Sequence, residues 1–281
     1  MMAGGADRPM EVTREPMRID GLALIAARPA REMAAPLLFV HGLFAASWMF
    51  ERWTPFFAER GRAAFALDLR GHGASDRVVG RGRVSLNEHI DDLRRVIDAL
   101  GRVVVVGHSM GALIAQKLAE SGAVDAAVLV SPAPPRGIPL VSLRLIARQI
   151  KYVPALLRSR EIRVGRADAD AIIFNRLPPE ERPALYSQLE PDSGRAGREI
   201  MLGAVAIHER RVRCPVLVLA GDADRFVPLR VARRVAAKYD APLRVLPGRG
   251  HLMMREPGWA EAAREIAEWL ESLPHHAGKG E

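Results

Sequence analysis

An α/β architecture, a mostly parallel central sheet flanked by helices and carrying one inserted helical segment, is what three features of this 281-residue sequence predict. Short apolar runs alternate with amphipathic stretches along most of the chain. Those runs are apolar at consecutive positions, as in Val103-Val104-Val105-Val106, which is what a strand covered on both faces requires. The alternation lapses once, for about eighty residues between Ser131 and Arg213, where prolines divide helix-prone sequence and no convincing strand is found.

The elements follow in order. Residues 11–27, with Asp20-Gly21 at their centre, read as an opening antiparallel hairpin. Buried strands are predicted over 36–40, 63–68, 103–106, 126–130 and 216–220, with a shorter one at 243–246. Between them, helices are predicted over 48–60, 86–100, 110–121, 229–239 and 257–273. In 86–100, Ile90, Leu93, Ile97 and Leu100 recur at steps of three and four and form a stripe that would face the sheet. Ser85, three residues before Glu88, makes a capping box for that helix. Pro257 suits the first turn of the last helix, where a missing N–H costs nothing. An eighty-residue structureless loop is out of place in a compact domain, so residues 132–213 are read as an inserted helical subdomain. Residues 1–131 and 214–273 then form the core, and 274–281 a disordered tail.

Composition narrows the function classes. With 49% hydrophobic and 26% charged residues, neither a disordered nor a membrane-embedded chain is expected. No apolar run approaches the roughly 20 residues of a membrane helix. Met1 to Met10 hold no apolar core that could serve as a signal peptide. Cys214 is the single cysteine and has no internal disulfide partner, so a soluble cytoplasmic protein is expected. The formal charge of +8 raises the question of nucleic acid. Four lysines against 37 arginines point instead to codon bias, aromatics are only 5%, and most arginines neighbour an acid, so no nucleic-acid partner is expected. Residues 136–213 carry 15 basic and 9 acidic side chains, which puts most of the net positive charge in the insertion.

The strongest chemical signal is Gly107-His108-Ser109-Met110-Gly111, a Gly-x-Ser-x-Gly between an apolar run and an apolar helix. A serine on a sharp strand-to-helix turn projects its hydroxyl from the sheet edge, and the flanking glycines let strand and helix approach. A serine hydroxyl at neutral pH needs a base within reach and an acid to orient that base. Among eight histidines, His251 follows the last strand on the glycine-rich loop Gly248-Arg249-Gly250 and is the candidate base. His41, His72 and His108 sit in turn motifs, His89 in an amphipathic helix, His208 in the insertion, and His275 and His276 in the tail. The acid is expected after the run 216–220, where Asp222 and Asp224 compete; Asp222 suits a turn, and Asp224, further round the loop, is preferred as the acid.

Ser109, Asp224 and His251, in that chain order, resemble the α/β-hydrolase fold superfamily of serine esterases and lipases. The resemblance covers 36–131 and 213–273. His41-Gly42-Leu43-Phe44 is similar to that family's His-Gly turn after its third strand, which implies an oxyanion hole made by the backbone N–H groups of Leu43 and Met110. Asp68-Leu69-Arg70-Gly71-His72-Gly73-Ala74-Ser75 resembles the loop after the fourth strand, where Asp68, Arg70 and His72 would brace the floor of the site. The family implies that the insertion is a helical cap. Its arginines (Arg136, Arg144, Arg148, Arg158, Arg160, Arg163 and Arg166) would favour an anionic substrate group if they face inward, and would otherwise form a solvated surface. Phe44 and Trp48 are candidate pocket residues, whereas Trp53, Phe56 and Phe57 are expected to pack a helix on the sheet.

A serine at this turn disfavours the alkyl-enzyme chemistry of relatives that carry aspartate there. It implies carboxylic-ester hydrolysis through an acyl-enzyme on a small-molecule ester, with no cofactor, no metal and no integral membrane association. Thioester, lactone and carbon–carbon bond hydrolysis, cofactor-free perhydrolysis and pure ligand binding remain the alternatives.

Overall fold

The computed structural model describes residues 11–140, 148 and 150–274. The first ten residues, Arg144, His275, His276 and the predicted tail beyond 274 lie outside the described residues. Two strands, β1 (Val12–Ile19) and β2 (Leu22–Pro29), form the predicted hairpin. Asp20 and Gly21 turn it with φ of 48° and 78°, the pair of positive values that a two-residue turn matched to strand twist demands.

Six parallel strands follow: β3 (Leu37–Val40), β4 (Ala64–Leu67), β5 (Val104–His108), β6 (Ala126–Val130), β9 (Val216–Gly221) and β10 (Leu243–Leu246). They join the hairpin in one eight-stranded sheet of order β1-β2-β4-β3-β5-β6-β9-β10, in which β2 runs antiparallel to β1 and β4. Between β6 and β9 lies a second sheet of only two short antiparallel strands, β7 (Glu161–Ile162) and β8 (Asp192–Ser193). The segment predicted to hold no strand therefore holds this ribbon. Two residues per strand are too few to leave a period in the sequence.

Helices α1 (Trp53–Ala58), α2 (Leu86–Leu100) and α3 (Met110–Glu120) precede β6. The single helix predicted over 48–60 is in fact a 3-10 turn, Ser47–Phe50, followed by α1. Pro55 explains the break. In the first turn of α1 its missing N–H is not needed, whereas in a helix begun at Trp48 it would have to donate to Glu51. Between β6 and β9 the chain forms α4 (Val153–Leu157), a turn of π-helix at Ala169–Ile173, α5 (Arg182–Ser187) and α6 (Gly194–Met201). Helices α7 (Leu229–Lys238) and α8 (Trp259–Ser272) complete the chain. Pro257 lies in the turn before α8 rather than in its first turn.

Each parallel strand feeds two cores. Leu37, Phe39, Val104 and Val106 pack with Phe50, Trp53, Phe57 and Ile266 on the α1 and α8 side. Leu38, Val40, Val103 and Val105 pack with Leu93, Leu113, Val231 and Val235 on the α2, α3 and α7 side. Consecutive apolar residues are thus all buried, each contributing on the order of 1.5–3 kcal/mol of transfer free energy. Ile90, Leu93 and Ile97 of α2 are buried as its stripe predicts, and Ser85 and Glu88 form the reciprocal capping box. Trp53 and Phe57 are fully buried, and their rings meet Phe39 at centroid distances of 6.3 and 5.8 Å. Among the described residues no helix is long and apolar enough to cross a membrane.

Candidate active site

The loops at the carboxyl ends of the parallel strands, where open α/β sheets bind ligands, carry every candidate residue. Ser109 stands between β5 and α3 with φ 53° and ψ −113°, a backbone state that costs a non-glycine residue roughly 1–3 kcal/mol and persists only where its surroundings hold it. Those surroundings are visible. Its N–H donates to the Val130 carbonyl (3.0 Å), and its own carbonyl accepts from Ala112 (3.1 Å) and Ala133 (3.0 Å). The two glycines of the motif are required by close approach: a Cβ on Gly107 would lie 2.3 Å from the Gly111 carbonyl oxygen, and one on Gly111 would lie 2.2 Å from that of Val40. No other side chain would fit between strand and helix.

His251, buried at 4% exposure, and Asp224, at 8%, meet on neighbouring loops. The Nδ1–H of His251 donates to Asp224 Oδ2 at 2.9 Å. The other carboxylate oxygen accepts from the backbone N–H groups of Phe226 (2.8 Å) and Val227 (2.9 Å), so the carboxylate is fixed from both ends. Asp222 is exposed, and its Oδ1 accepts from the Gly248 N–H at 2.6 Å, a turn contact away from His251. Ser109 and His251 share the wall of one small cavity with Leu43, Phe44 and Trp48. The structure therefore pairs Asp224 with His251 and places Ser109 on the same cavity wall as His251, while among the described residues no hydrogen bond joins the Ser109 hydroxyl to the imidazole.

Leu43 follows β3 on a turn pressed against the serine: a Cβ at Gly42 would approach Ser109 Cβ to 2.8 Å. Met110 is the first residue of α3, where N–H groups have no partner inside the helix. Among the described residues neither the Leu43 nor the Met110 N–H donates to another protein group. Two free donors beside a serine hydroxyl suit an oxyanion.

A second and larger cavity opens from Ser109 beneath the segment between β6 and β9. Its walls are apolar (Leu156, Ile162, Val164, Ile172 and Ile200 among them), with Arg148, Tyr152 and Asp168 as the polar exceptions. Those three satisfy one another: Asp168 accepts from the Tyr152 hydroxyl (2.6 Å), Arg148 (3.2 Å) and Lys151 (2.5 Å). Arg136, Arg158, Arg160, Arg163 and Arg166 are exposed, so of the described arginines singled out in the sequence only Arg148 reaches this cavity.

Several supporting residues carry no signal in the sequence. His108 sends Nε2–H to the His251 carbonyl at 2.9 Å, tying the base's backbone to the serine turn. Burial, with His251 beside it, holds the His108 pKa well below the usual histidine range, so it is a neutral strut. Glu256 accepts from the Gly250 N–H (2.8 Å), and Asn175 and Arg176 donate to the carbonyls of Ala223 (2.9 Å) and Gly248 (2.7 Å) on the acid and base loops. Asp68 accepts from the N–H groups of Ser47 and Ala74, Arg70 grips Asp92 with both carboxylate oxygens, and His41 accepts from the Leu69 N–H, so the floor loop is braced as its motif suggests.

Asp192 of β8 is the largest omission. It is fully buried, its Oδ2 accepts from the Phe44 N–H at 2.7 Å, and the same oxygen lies 3.2 Å from His72 Nε2. Burial opposes charge on both groups, yet the His72 charge and the N–H groups of Phe44 and Ser193 outweigh it and hold the Asp192 pKa down at about 2. Against its own burial, the Asp192 carboxylate and the Arg70 carbonyl raise the pKa of His72. His41 and His89 nearby are pushed by burial to about 4 and stay neutral, so His72 is the one histidine of this group whose charged form is favoured on balance, with the Asp192 carboxylate as its partner. A depressed carboxylate pKa stabilises the fold above its ordinary value of 3.8, and that contribution is lost as pH falls through about 2. The difference in thermal midpoint between wild type and Asp192→Asn is therefore expected to shrink as pH drops from about 4 to about 2. It is also expected to shrink at high pH, as His72 loses its proton above its raised pKa. A pH-independent difference would contradict the ion pair.

Residues 37–268 match the alpha/beta hydrolase family. The chain is 30% identical over 249 residues to the magnesium-chelatase 30 kDa subunit of Rhodobacter capsulatus, covering 84% of this chain and 86% of that protein. It is 28% identical over 239 residues to the monoacylglycerol lipase of Mycolicibacterium smegmatis, covering 77% and 80% respectively. Among solved structures, a soluble variant of the monoglyceride lipase from Saccharomyces cerevisiae, in complex with a substrate analog, matches with a TM-score of 0.72 over 94% of this chain and 96% of that one. The identity there is 17%, a likeness of fold.

Proposed function

This chain belongs to the alpha/beta hydrolase family, and we propose that it hydrolyses carboxylic esters through an acyl-enzyme on Ser109. The observation that carries the reading is the 2.9 Å hydrogen bond to Asp224 from His251, an imidazole that shares a cavity wall with a serine on a strained turn. Ser109 attacks the carbonyl carbon while His251 Nε2 takes its proton. Asp224 keeps the Nδ1 proton in place and stabilises the imidazolium. The oxyanion lies between the N–H groups of Leu43 and Met110, and His251 returns the proton to the leaving alkoxide. Water, activated by the same histidine, then releases the acid. Residues 132–213 act as a cap over a core made of 1–131 and 214–273, excluding water from the site.

The two cavities assign the arms of the ester. His251 must reach the leaving oxygen and lines only the smaller cavity, so the alcohol lies there, against Trp48 and Phe44. The acyl chain stays on Ser109 and runs into the larger apolar cavity, whose few polar groups are already paired. Each methylene buried there contributes up to about 0.8 kcal/mol. Extending the acyl arm of an ester from acetyl to octanoyl is thus expected to raise kcat/KM at least tenfold, and lengthening the alcohol arm equally is expected to do less. The opposite ranking, or a preference for acyl chains ending in a carboxylate, would reverse the assignment.

One relative is named as a subunit of a chelatase rather than as a hydrolase. A fluorophosphonate probe separates the two roles: a hydrolase is labelled at Ser109, and a protein that only binds ligand is not.

A further inference from the structure

We propose that Asp192, a residue of the segment between β6 and β9, is a positioning residue for the oxyanion turn, so that this segment sets catalytic geometry as well as enclosing substrate. The inference rests on the ester-hydrolase reading above and adds to it a role for a carboxylate outside the triad.

Phe44 is the residue after the proposed oxyanion donor Leu43. Phe44 holds φ at 68°, in the left-handed region that disfavours a bulky side chain, so something must hold the turn in place. Both of its backbone polar groups go to one short stretch of the insertion. Its N–H donates to Asp192 Oδ2 at 2.7 Å, and its carbonyl accepts from the Glu190 N–H at 2.9 Å. No strand of the main sheet supplies either contact. The insertion grips the turn on both sides.

That grip is itself anchored. Asp192 Oδ1 accepts from the Ser193 N–H at 2.6 Å, and Oδ2 faces His72 at 3.2 Å, with both side chains 1% exposed. His72 in turn uses Nδ1 to donate to the Arg70 carbonyl at 3.1 Å, on the floor loop held by Asp92. Glu190 accepts from the Gly73 N–H at 2.7 Å, and Arg81 donates to the Pro191 carbonyl at 2.9 Å. The stretch 190–192 is therefore fastened to the floor loop and in turn fastens Phe44. A carboxylate buried this completely would be costly unless paired and hydrogen-bonded, and here every one of its partners belongs to this clamp. The Leu43 N–H, one peptide upstream of the gripped N–H, inherits its direction from it. Oxyanion donors act only when they point at the position the developing charge will occupy, and small displacements are amplified in rate.

The test compares wild type with Asp192→Asn and Asp192→Ala. Asparagine keeps the shape and one acceptor for Phe44 but not the charge facing His72, so it keeps the experiment decisive if the alanine variant fails to fold. On p-nitrophenyl octanoate, Asp192→Asn is expected to lower kcat about ten- to a hundredfold, below the loss of a whole oxyanion donor, with KM within about twofold of wild type. An alkyl boronate, which forms a tetrahedral adduct on Ser109, is expected to lose affinity in parallel with kcat, while octanoate, which forms none, keeps its affinity. A side chain that merely shaped the pocket would weaken both ligands equally and raise KM, and that result overturns the proposal. Wild-type kcat and boronate affinity in Asp192→Asn overturn it as well. If wild type itself neither turns over esters nor takes the fluorophosphonate label, it is the ester-hydrolase reading that fails; an active, labelled wild type with an unaffected Asp192→Asn fails this inference alone.

Discussion

Ser109→Ala is expected to reduce hydrolysis of p-nitrophenyl esters by about a million-fold, with a thermal midpoint close to that of wild type. The two halves of that expectation come from separate features. Activity is lost because a methyl group cannot form the acyl-enzyme, and a base and oxyanion donors without a nucleophile can only help water. Stability is kept because the contacts that pin this turn are made by the backbone of residue 109: its N–H to Val130 and its carbonyl to Ala112 and Ala133. Alanine keeps all three and meets the same Cβ environment at φ 53°. Ser109→Gly should then be more stable than either, since glycine reaches positive φ at little cost and relieves roughly 1–3 kcal/mol of strain. Progress curves on a purified ester and thermal unfolding of the three proteins check both halves. Residual turnover in Ser109→Ala within a factor of ten of wild type would exclude Ser109 as the nucleophile, and a large loss of stability would mean that the hydroxyl was structural.

How far the sequence could be read depended on the range of the interactions involved. The run Val103–Val106 announces a parallel strand because burial on both faces demands apolar residues without alternation, and all four are buried. The turn around Ser109 is legible for a similar reason: the close approaches at Gly107 and Gly111 are local, and glycine alone satisfies them. Misreadings arose where a local pattern had two solutions. The aromatic spacing of Trp48, Trp53, Phe56 and Phe57 fits one long helix as well as two short pieces, and the position of Pro55 decides between them. The clamp on the oxyanion turn left no trace at all. Asp192 and Phe44 are 148 residues apart, and His108 meets the carbonyl of His251 across 143, so no periodicity marks either contact. Asp192 also precedes Ser193, whose hydroxyl caps α6 by accepting from the Ala196 N–H, and in sequence the pair looks like an ordinary helix start.

The choice between Asp222 and Asp224, open in the sequence, yields the second large expected effect. Asp224→Asn is expected to lower kcat by about ten-thousand-fold, whereas Asp222→Asn should change it less than threefold. The hydrogen bonds around Asp224 dictate how an amide would sit there. Oδ1 takes N–H groups from both Phe226 and Val227, so an asparagine must point its carbonyl oxygen at them, and its NH2 then faces His251. Two donors cannot share one hydrogen bond. The imidazole would have to give up its Nδ1 proton and carry it on Nε2, the nitrogen that must accept from Ser109, and the base would be lost while the fold survived. Flipping the amide would avoid this only by setting two backbone N–H groups against an NH2, at about 1–3 kcal/mol for each donor left unsatisfied. Asp222 has no such constraint: it is exposed, it accepts a single N–H from Gly248, and an asparagine oxygen serves there equally well. Steady-state kinetics of the two variants on one ester settle the matter, and a larger loss in Asp222→Asn would transfer the acid's role to that residue. Because the same argument predicts an unchanged KM for Asp224→Asn, a loss confined to KM would point instead to a deformed pocket and would count against the tautomer account.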